Sequence, residues 1–285
     1  MPTLDRITLY PVKSLDGIDV DSARVLPSGG LEHDRRWRLT DMEGRAVNAK
    51  RSARFHPIRA AYDLTERLIT LSFGDAADGS HAATFPLAPG PEGPCAWLSE
   101  ALGERVLLEE RLDGGFPDDR DAPGPTLVST ASLEEVGRWF GFDLAESRRR
   151  FRANLEISGC DAFWEDGLAI PARHLRPPPA ALPADPYADL PPPEPRVFTI
   201  GTVALRATNV CRRCVVPSRD SRTGDPMPGF REAFESRRRR SMPPTADRVA
   251  GADLYRLAIN TSLFTPPGAV SVGDRIAVVT AAAEA

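Results

Sequence analysis

The residues best suited to chemistry are two cysteines three positions apart, Cys211 and Cys214, which directly follow a predicted strand. They could form half of a zinc site, but a zinc ribbon requires a second close pair, and Cys95 and Cys160 stand alone. They could also be a thiol–disulfide redox pair, although such pairs usually begin a helix and the flanks here are typical of strands. Two buried structural cysteines are the commonest outcome for a pair taken alone.

A further interpretation makes one of these cysteines a soft thiolate ligand to a transition metal. Arg212 and Arg213 lie between the two cysteines, where their charges would favour a thiolate and attract an anionic cofactor. The spacing of the cysteines by itself leaves all four interpretations open.

A second candidate segment is Tyr10–Gly17, with the sequence YPVKSLDG, at the end of the first predicted strand. Lys13 and Ser14 stand side by side on a turn closed by glycine. Such a turn offers an ammonium group, a hydroxyl and backbone N–H groups to a phosphate or a carboxylate. The same residues also suit an ordinary surface turn.

Two more segments each deliver an arginine beside a predicted strand. Leu31–Trp37 contains Arg35, and Arg150–Cys160 contains Arg152 and Asn154. Arginine binds phosphate and carboxylate groups through paired hydrogen bonds, so both residues are candidates for anion binding. The simpler alternative for Arg35 is a surface salt bridge with its acidic neighbour, which would contribute little.

These segments must be positioned by a fold that is mainly β. Short apolar runs separated by glycine-containing turns predict an antiparallel meander or barrel in the first third of the chain. The predicted strands are Ile7–Val12, Val20–Leu26, Arg36–Thr40, Ile58–Leu64, Leu68–Phe73, Asn154–Ser158, Val197–Ala207, Leu254–Asn260 and Asp274–Val279.

Helices are predicted at Cys95–Leu102, Ser132–Phe140 and Gly229–Arg240. Ser129 or Thr130 is expected to cap the second of them. Residues 171–195 are dominated by proline, which cannot donate ladder hydrogen bonds, and are expected to form an extended surface insertion. We expect two domains, at residues 1–90 and 91–285, with this insertion inside the second.

The composition is that of an ordinary folded protein. Of the 285 residues 41% are hydrophobic and 27% charged, and the net charge of -4 does not indicate a nucleic-acid-binding protein. The sequence contains no apolar run long enough to span a membrane and begins without a recognisable leader. With only four cysteines, reduced thiols and a cytoplasmic location are expected.

The four candidate segments, followed by Ser271–Asp274 with the sequence SVGD, occur in the order found in the MOSC family. The chain resembles the branch of that family that carries an N-terminal β-barrel domain and includes the mitochondrial amidoxime-reducing component. The resemblance covers nearly the whole chain except the proline-rich segment. It implies an N-terminal β-barrel lobe packed on a C-terminal MOSC β-barrel lobe, with peripheral helices and a cofactor in the cleft between them.

The resemblance also implies roles for particular residues. Cys214 would be the protein ligand to the molybdenum of a molybdopterin cofactor. The residues that would contact this cofactor are Lys13, Ser14, Arg35, Arg152, Asn154, Arg213 and Asn260, with Ser129 and Thr130 in place of a hydroxyl pair that some relatives carry. Arg219 and Arg222 replace acidic or neutral residues of the family's pattern, which points to an anionic small-molecule substrate.

The function implied is the reduction of N-oxygenated compounds, by transfer of an oxygen atom to the metal. Electrons would come from a separate flavin or iron–sulfur protein, because the chain has no ferredoxin-like cysteine cluster. No nucleic acid and no membrane is expected as a partner. Two alternatives remain: a persulfide carrier acting through Cys214 or Cys211, and a cofactor-binding protein without turnover of its own.

Overall fold

The computed structural model describes residues 1–74, 82–90, 92–168, 196–241 and 254–279, so the predicted proline-rich insertion at residues 171–195 lies outside the described residues. The fold is mainly β, as the sequence predicted. The helices are α1 (Cys95–Leu102), α2 (Thr130–Phe140), α3 (Leu144–Phe151) and α4 (Phe230–Ser241). The strands are β1 (Thr3–Leu9), β2 (Ile18–Val20), β3 (Ser22–Arg24), β4 (Trp37–Thr40), β5 (Ala46–Val47), β6 (Ile58–Asp63), β7 (Leu68–Phe73), β8 (Ala83–Pro86), β9 (Leu107–Glu110), β10 (Leu127–Ser129), β11 (Leu155–Ser158), β12 (Val197–Ile200), β13 (Val203–Arg212), β14 (Arg256–Leu263), β15 (Ala269–Ser271) and β16 (Ile276–Val278).

The largest sheet has eight strands in the order β16-β12-β13-β14-β10-β11-β1-β2. Neighbouring strands are antiparallel except β10 and β11, which run parallel because α2 and α3 connect them. Two three-stranded sheets, β5-β4-β9 and β6-β7-β8, and the pair β15-β3 complete the β structure.

Strands that precede residue 90 pair with strands that follow it, in two different sheets. Ile7 of β1 pairs with Leu155 of β11, and Trp37 of β4 pairs with Glu110 of β9. The first strand is therefore part of the same sheet as the last strands of the chain. The division into domains at residue 90 stays a prediction.

Three apolar clusters hold the sheets and helices together. The first packs one face of the eight-stranded sheet, around Ile7, Leu155 and Phe198, and the second lies among the smaller sheets around Trp37. The third is aromatic and is formed where α2, α3 and α4 meet the large sheet. Burial of these side chains is the main stabilising contribution to the fold.

Two charged groups are buried beside the aromatic cluster. Arg238 of α4 is fully buried, pairs with Asp166 and stacks 3.9 Å from the Phe163 ring centroid. Glu165 is also fully buried and accepts a hydrogen bond of 3.1 Å from the Ser132 hydroxyl. Arg238, the second of four consecutive arginines near the end of α4, is thus a packing residue.

The sequence located most of these elements, with one clear correction. The single strand predicted at Val197–Ala207 is a hairpin, because Gly201, with φ of +56°, turns the chain between β12 and β13. The predicted cap of α2 is confirmed, since the Ser129 side chain accepts from the Ser132 N–H. The sequence missed β5, β8, β9, β10, β15 and α3, all short, and of β2 it included only Val20. The missed helix α3 is rich in arginine rather than apolar residues.

No helix within the described ranges is both long enough and apolar enough to cross a membrane.

Candidate functional site

A cavity of about 170 Å³ opens among the segments that the sequence singled out. It brings together seven of the ten predicted site residues. They are Lys13, Ser14, Arg35, Arg152, Arg213, Cys214 and Asn260. The predicted segments, although widely separated in the sequence, therefore meet at one place.

Four structural features supply the walls. The turn between β1 and β2 carries Lys13 and Ser14. Arg152 is the C-cap residue of α3. Strand β13 ends at Arg212, so the cysteine pair straddles the end of a strand. The fourth wall is the 3-10 turn Ala53–Phe55 with the start of β6.

The charge of the cavity is opposite to that of the whole chain. Two carboxylates, Asp16 and Asp118, line it, together with ten basic side chains: Lys13, Arg35, Lys50, Arg59, Arg149, Arg150, Arg152, Arg212, Arg213 and Arg219. The chain as a whole has a net charge of -4. Such concentration of one sign in a concave site attracts anionic ligands.

The two cysteines differ in their surroundings. Cys211 donates from its thiol to the Asn260 side-chain oxygen at 2.7 Å, and burial raises the pKa of the Cys211 thiol. Cys214 lies beyond the strand end, is partly exposed and also lines the cavity. Neither cysteine is in a disulfide. Cys211 is therefore a protonated hydrogen-bond donor, and Cys214 is the cavity thiol that this hydrogen bond leaves uncommitted.

Three predicted site residues adopt left-handed backbone conformations. The φ angles are +78° at Ser14, +49° at Arg35 and +51° at Arg152. A non-glycine residue in this region costs about 1 kcal/mol or more, and such residues concentrate at functional sites. The surrounding hydrogen bonds hold them there: the Ser14 hydroxyl accepts from Ala49 N–H at 3.0 Å, and Arg152 N–H caps α3.

Arg35 and Lys13 converge on one carboxylate, that of Asp118. Lys13 Nζ lies 2.9 Å from one Asp118 oxygen, and Arg35 Nε lies 3.2 Å from the other. Although burial opposes it, the charges of Arg35 and Lys13 lower the pKa of Asp118. Burial lowers the pKa of Lys13, and Asp118 opposes that change. The protein's own carboxylate thus occupies a place suited to an external anion.

Arg152 is fixed by a carbonyl and an aromatic ring, and none of the described carboxylates forms an ion pair with it. It donates to the Leu15 carbonyl at 2.7 Å, and its guanidinium lies 4.1 Å from the centroid of the Tyr10 ring. Arg213 donates to the Phe151 carbonyl at 2.6 Å, while its buried Nε has no hydrogen-bond partner among the described residues. Buried donors without partners are rare, so this one favours a ligand.

The other three predicted residues lie outside this cavity. Asn154 is buried, and its side-chain oxygen accepts a hydrogen bond of 3.2 Å from Arg35, so it positions that arginine. Ser129 caps α2, and Thr130 donates to Glu156 at 2.8 Å. Neither of these two hydroxyls lines the cavity, so their contact with a cofactor stays a prediction.

Sequence reasoning missed Asp118, His56 and Arg59 as cavity residues. The four histidines of the sequence show no metal-ligand spacing, so no pattern along the chain marks His56. In the structure, a Cβ on Gly224 would lie 2.6 Å from the Ala53 carbonyl oxygen. The Thr-Gly turn that follows the cysteine pair is therefore packed against the turn that carries His56.

Comparison with known proteins adds the following. Residues 1–92 match the family model of the MOSC N-terminal beta barrel domain. A molybdenum cofactor sulfurase of Drosophila erecta is 27% identical over 254 residues, which are 80% of this chain and 29% of that protein. A molybdenum cofactor sulfurase of Danio rerio is 25% identical over 269 residues, covering 78% of this chain and 28% of that protein. The chain thus spans less than a third of the length of these relatives. The YUAD protein from Bacillus subtilis aligns in structure over 97% of this chain and 94% of that chain, with 13% identity and a TM-score of 0.38.

Proposed function

We propose that this chain, whose residues 1–92 match the MOSC N-terminal beta barrel domain, is a MOSC protein that binds a molybdenum–molybdopterin cofactor in the basic cavity and reduces N-oxygenated compounds there. The observation that carries the proposal is the position of Cys214, an uncommitted thiol in a cavity lined by ten basic side chains. A dithiolene-bound metal is a soft site, for which one further thiolate is the expected protein ligand. The cofactor's phosphate needs cations, and the cavity supplies them.

The donor groups present fit such a cofactor. Arg152 and Arg213 are oriented by carbonyls rather than by carboxylates, so their charges are available to an anion. The buried, unpartnered Nε of Arg213 is a ready hydrogen-bond donor. When bound, the cofactor supplies two-electron redox chemistry, with Cys214 as ligand to its metal.

The other residues of the cavity would bind and orient the cofactor and exclude water from it. Tyr10 stacks under Arg152 and Arg35, with guanidinium-to-centroid distances of 4.1 and 5.4 Å, and so fixes the direction of both charges. The Cys211 thiol donates a hydrogen bond to the Asn260 side-chain oxygen, which favours the neutral form of this second thiol. One cysteine is thus assigned to the metal and the other to the cavity wall.

The cavity is smaller than the roughly 300 Å³ at the lower end of small-molecule sites. Asp118, whose side chain is half-exposed, lines it and engages Lys13 and Arg35. We expect this side chain to release both cations when the cofactor enters. Electrons would reach the bound cofactor from a separate flavin or iron–sulfur protein.

One observation favours a second function, sulfur transfer through a cysteine persulfide. Both Cys211 and Cys214 line the same cavity. The Cys211 thiolate would attack the inner sulfur of a Cys214 persulfide, forming a Cys211–Cys214 disulfide and releasing the outer sulfur as sulfide. The relatives named molybdenum cofactor sulfurase are matched over less than a third of their length, so sulfur transfer by this chain is a proposal as well.

The test is molybdenum content by mass spectrometry together with the fluorescence of released, oxidised pterin. We expect near-stoichiometric metal and pterin in the wild type, loss of metal in C214A, and retention in C211A, the matched control. Metal retained in C214A would refute the ligand assignment. Pterin and metal absent from wild type made in a cofactor-competent host, with persulfide on Cys214, would favour the sulfur-transfer alternative.

A further inference from the structure

One wall of the cavity is formed by residues whose buried polar atoms have no hydrogen-bond partner among the described residues. His56 is only 8% exposed, and its Nδ1 lies 2.9 Å from the Ala53 carbonyl oxygen. Because a carbonyl can only accept, Nδ1 carries a proton, and Nε2 of the neutral ring is a bare acceptor. Nε2 is buried and has no hydrogen-bond partner among the described residues.

Arg59, which lines the cavity with His56, also has a buried nitrogen without a hydrogen-bond partner among the described residues. Its Nη1 lies 3.2 Å from Asp16, and its Nη2 donates to the carbonyls of His56 and Ser221. Its Nε is buried and meets no acceptor within the described residues. A guanidinium held on two of its three nitrogens presents the third in a fixed direction.

Arg219 completes the group from the segment that follows the cysteine pair. Its Nη1 donates to the Ala49 carbonyl at 2.6 Å, and no described carboxylate forms an ion pair with it. A carbonyl fixes the side chain but does not neutralise its charge. Arg219, Arg59 and His56 all line the cavity.

We propose that His56, Arg59 and Arg219 form an oxyanion subsite that takes the acidic group, a carboxylate or a phosphate, of the substrate. The Lys13–Arg35 pair is a separate anion site, because Asp118 engages both of its cations and contacts none of these three residues. Assignment of the subsite to a substrate rests on the proposed function. The existence of the subsite does not.

The subsite requires His56 to gain a proton when an anion arrives, because a bare Nε2 would face the anion's oxygen. In the free protein, burial and the charges of Arg219, Arg152 and Arg59 lower the pKa of His56, against the Nδ1 hydrogen bond. Asp16, a carboxylate that lines the same cavity, is already paired with Arg59. A bound dianion raises the pKa of His56. Anion affinity therefore increases as the pH falls toward the pKa that His56 has in the anion-free protein.

Sulfate is a suitable probe, because it remains a dianion across the range in which histidine titrates. The His56 ring signal is followed by NMR, assigned by its loss in H56Q, while sulfate and pH are varied. We expect sulfate to raise the pKa of His56. We expect R219Q to weaken sulfate binding about ten-fold, the usual effect of removing one charged donor. R222Q, an exposed arginine three residues away, and H33Q are the matched controls.

The proposal is overturned if sulfate leaves the His56 titration unchanged, or if R222Q weakens binding as much as R219Q. Thermal melting of R219Q confirms that it is folded, since Arg219 also holds Ala49. The titration is run on cofactor-free and molybdenum-loaded protein. Binding retained in the loaded protein supports a substrate subsite, whereas binding lost there assigns the subsite to the cofactor's phosphate and overturns the substrate role. Failure to load molybdenum, with sulfate binding intact, would refute only the proposed function.

Discussion

Asp118 should act as an internal competitor for anions, so D118N should bind phosphate more tightly than the wild type. The carboxylate makes two charged contacts, with Lys13 at 2.9 Å and with Arg35 at 3.2 Å. The Asp118 side chain is 50% exposed, which screens both contacts. At such exposure each pair contributes about 0.2–1 kcal/mol, so the two together contribute roughly 0.4–2 kcal/mol.

An incoming phosphate must replace these contacts before it gains its own. Since 1.4 kcal/mol corresponds to a factor of ten, D118N should tighten binding of inorganic phosphate by roughly two- to thirty-fold. The measurement is calorimetric titration of the cofactor-free protein at fixed ionic strength. D113N is the matched control, because Asp113 lies on the same loop, is exposed and does not line the cavity.

Equal phosphate affinity in D118N and wild type would refute the competition. An equal gain in D113N would also refute it, since the effect would then reflect the overall charge of the loop. A gain confined to D118N would identify Lys13 and Arg35 as the cations that the carboxylate masks.

Three further predictions concern thiol reactivity and stability. Iodoacetamide should alkylate Cys214 before Cys211, because burial raises the pKa of the Cys211 thiol and the thiol donates a hydrogen bond to Asn260; peptide mass mapping with time would show equal rates if this is wrong. Burial raises the pKa of Glu165 to about 7 from 4.5, so the stability it contributes is complete below pH 4.5 and is lost as pH rises through about 7. E165Q should therefore flatten the decline in melting temperature across that range, and an unchanged slope would contradict the assignment. R238A should lower the free energy of unfolding in urea by at least about 3 kcal/mol, because it leaves Asp166 without its partner. R239A, an exposed neighbour, should change it little.

The sequence identified the fold class and seven of the cavity residues because both depend on patterns that run along the chain. Alternating apolar residues mark strands such as β6 and β7, and the ordered motifs of a family mark Lys13, Arg152 and Cys214. The end of β13 was harder to predict. That strand continues past Ala207 to Arg212, with irregularities that depend on its pairing with β14.

The remaining cavity residues could not be predicted, because their significance depends on contacts between distant segments. Asp118 lies in a loop of glycine, proline and aspartate, more than a hundred residues from the lysine that it engages. His56 has no distinguishing neighbour in the sequence. Only the structure shows that its ring is buried in a cavity wall beside Arg59 and Arg219.

The position of β1 in the large sheet has a consequence for biosynthesis. Thr3 bridges to Arg275, and Leu4 N–H donates to the Asp274 carbonyl at 2.8 Å, so the first strand completes its contacts with nearly the last described residues. At about 5–20 residues per second, the ribosome makes the second partner roughly 14–54 s after the first. Throughout that interval Ile7 and the other apolar residues of β1 lack part of their sheet. Such long-range pairing predicts slow folding and a nascent chain that depends on chaperones to cover this strand.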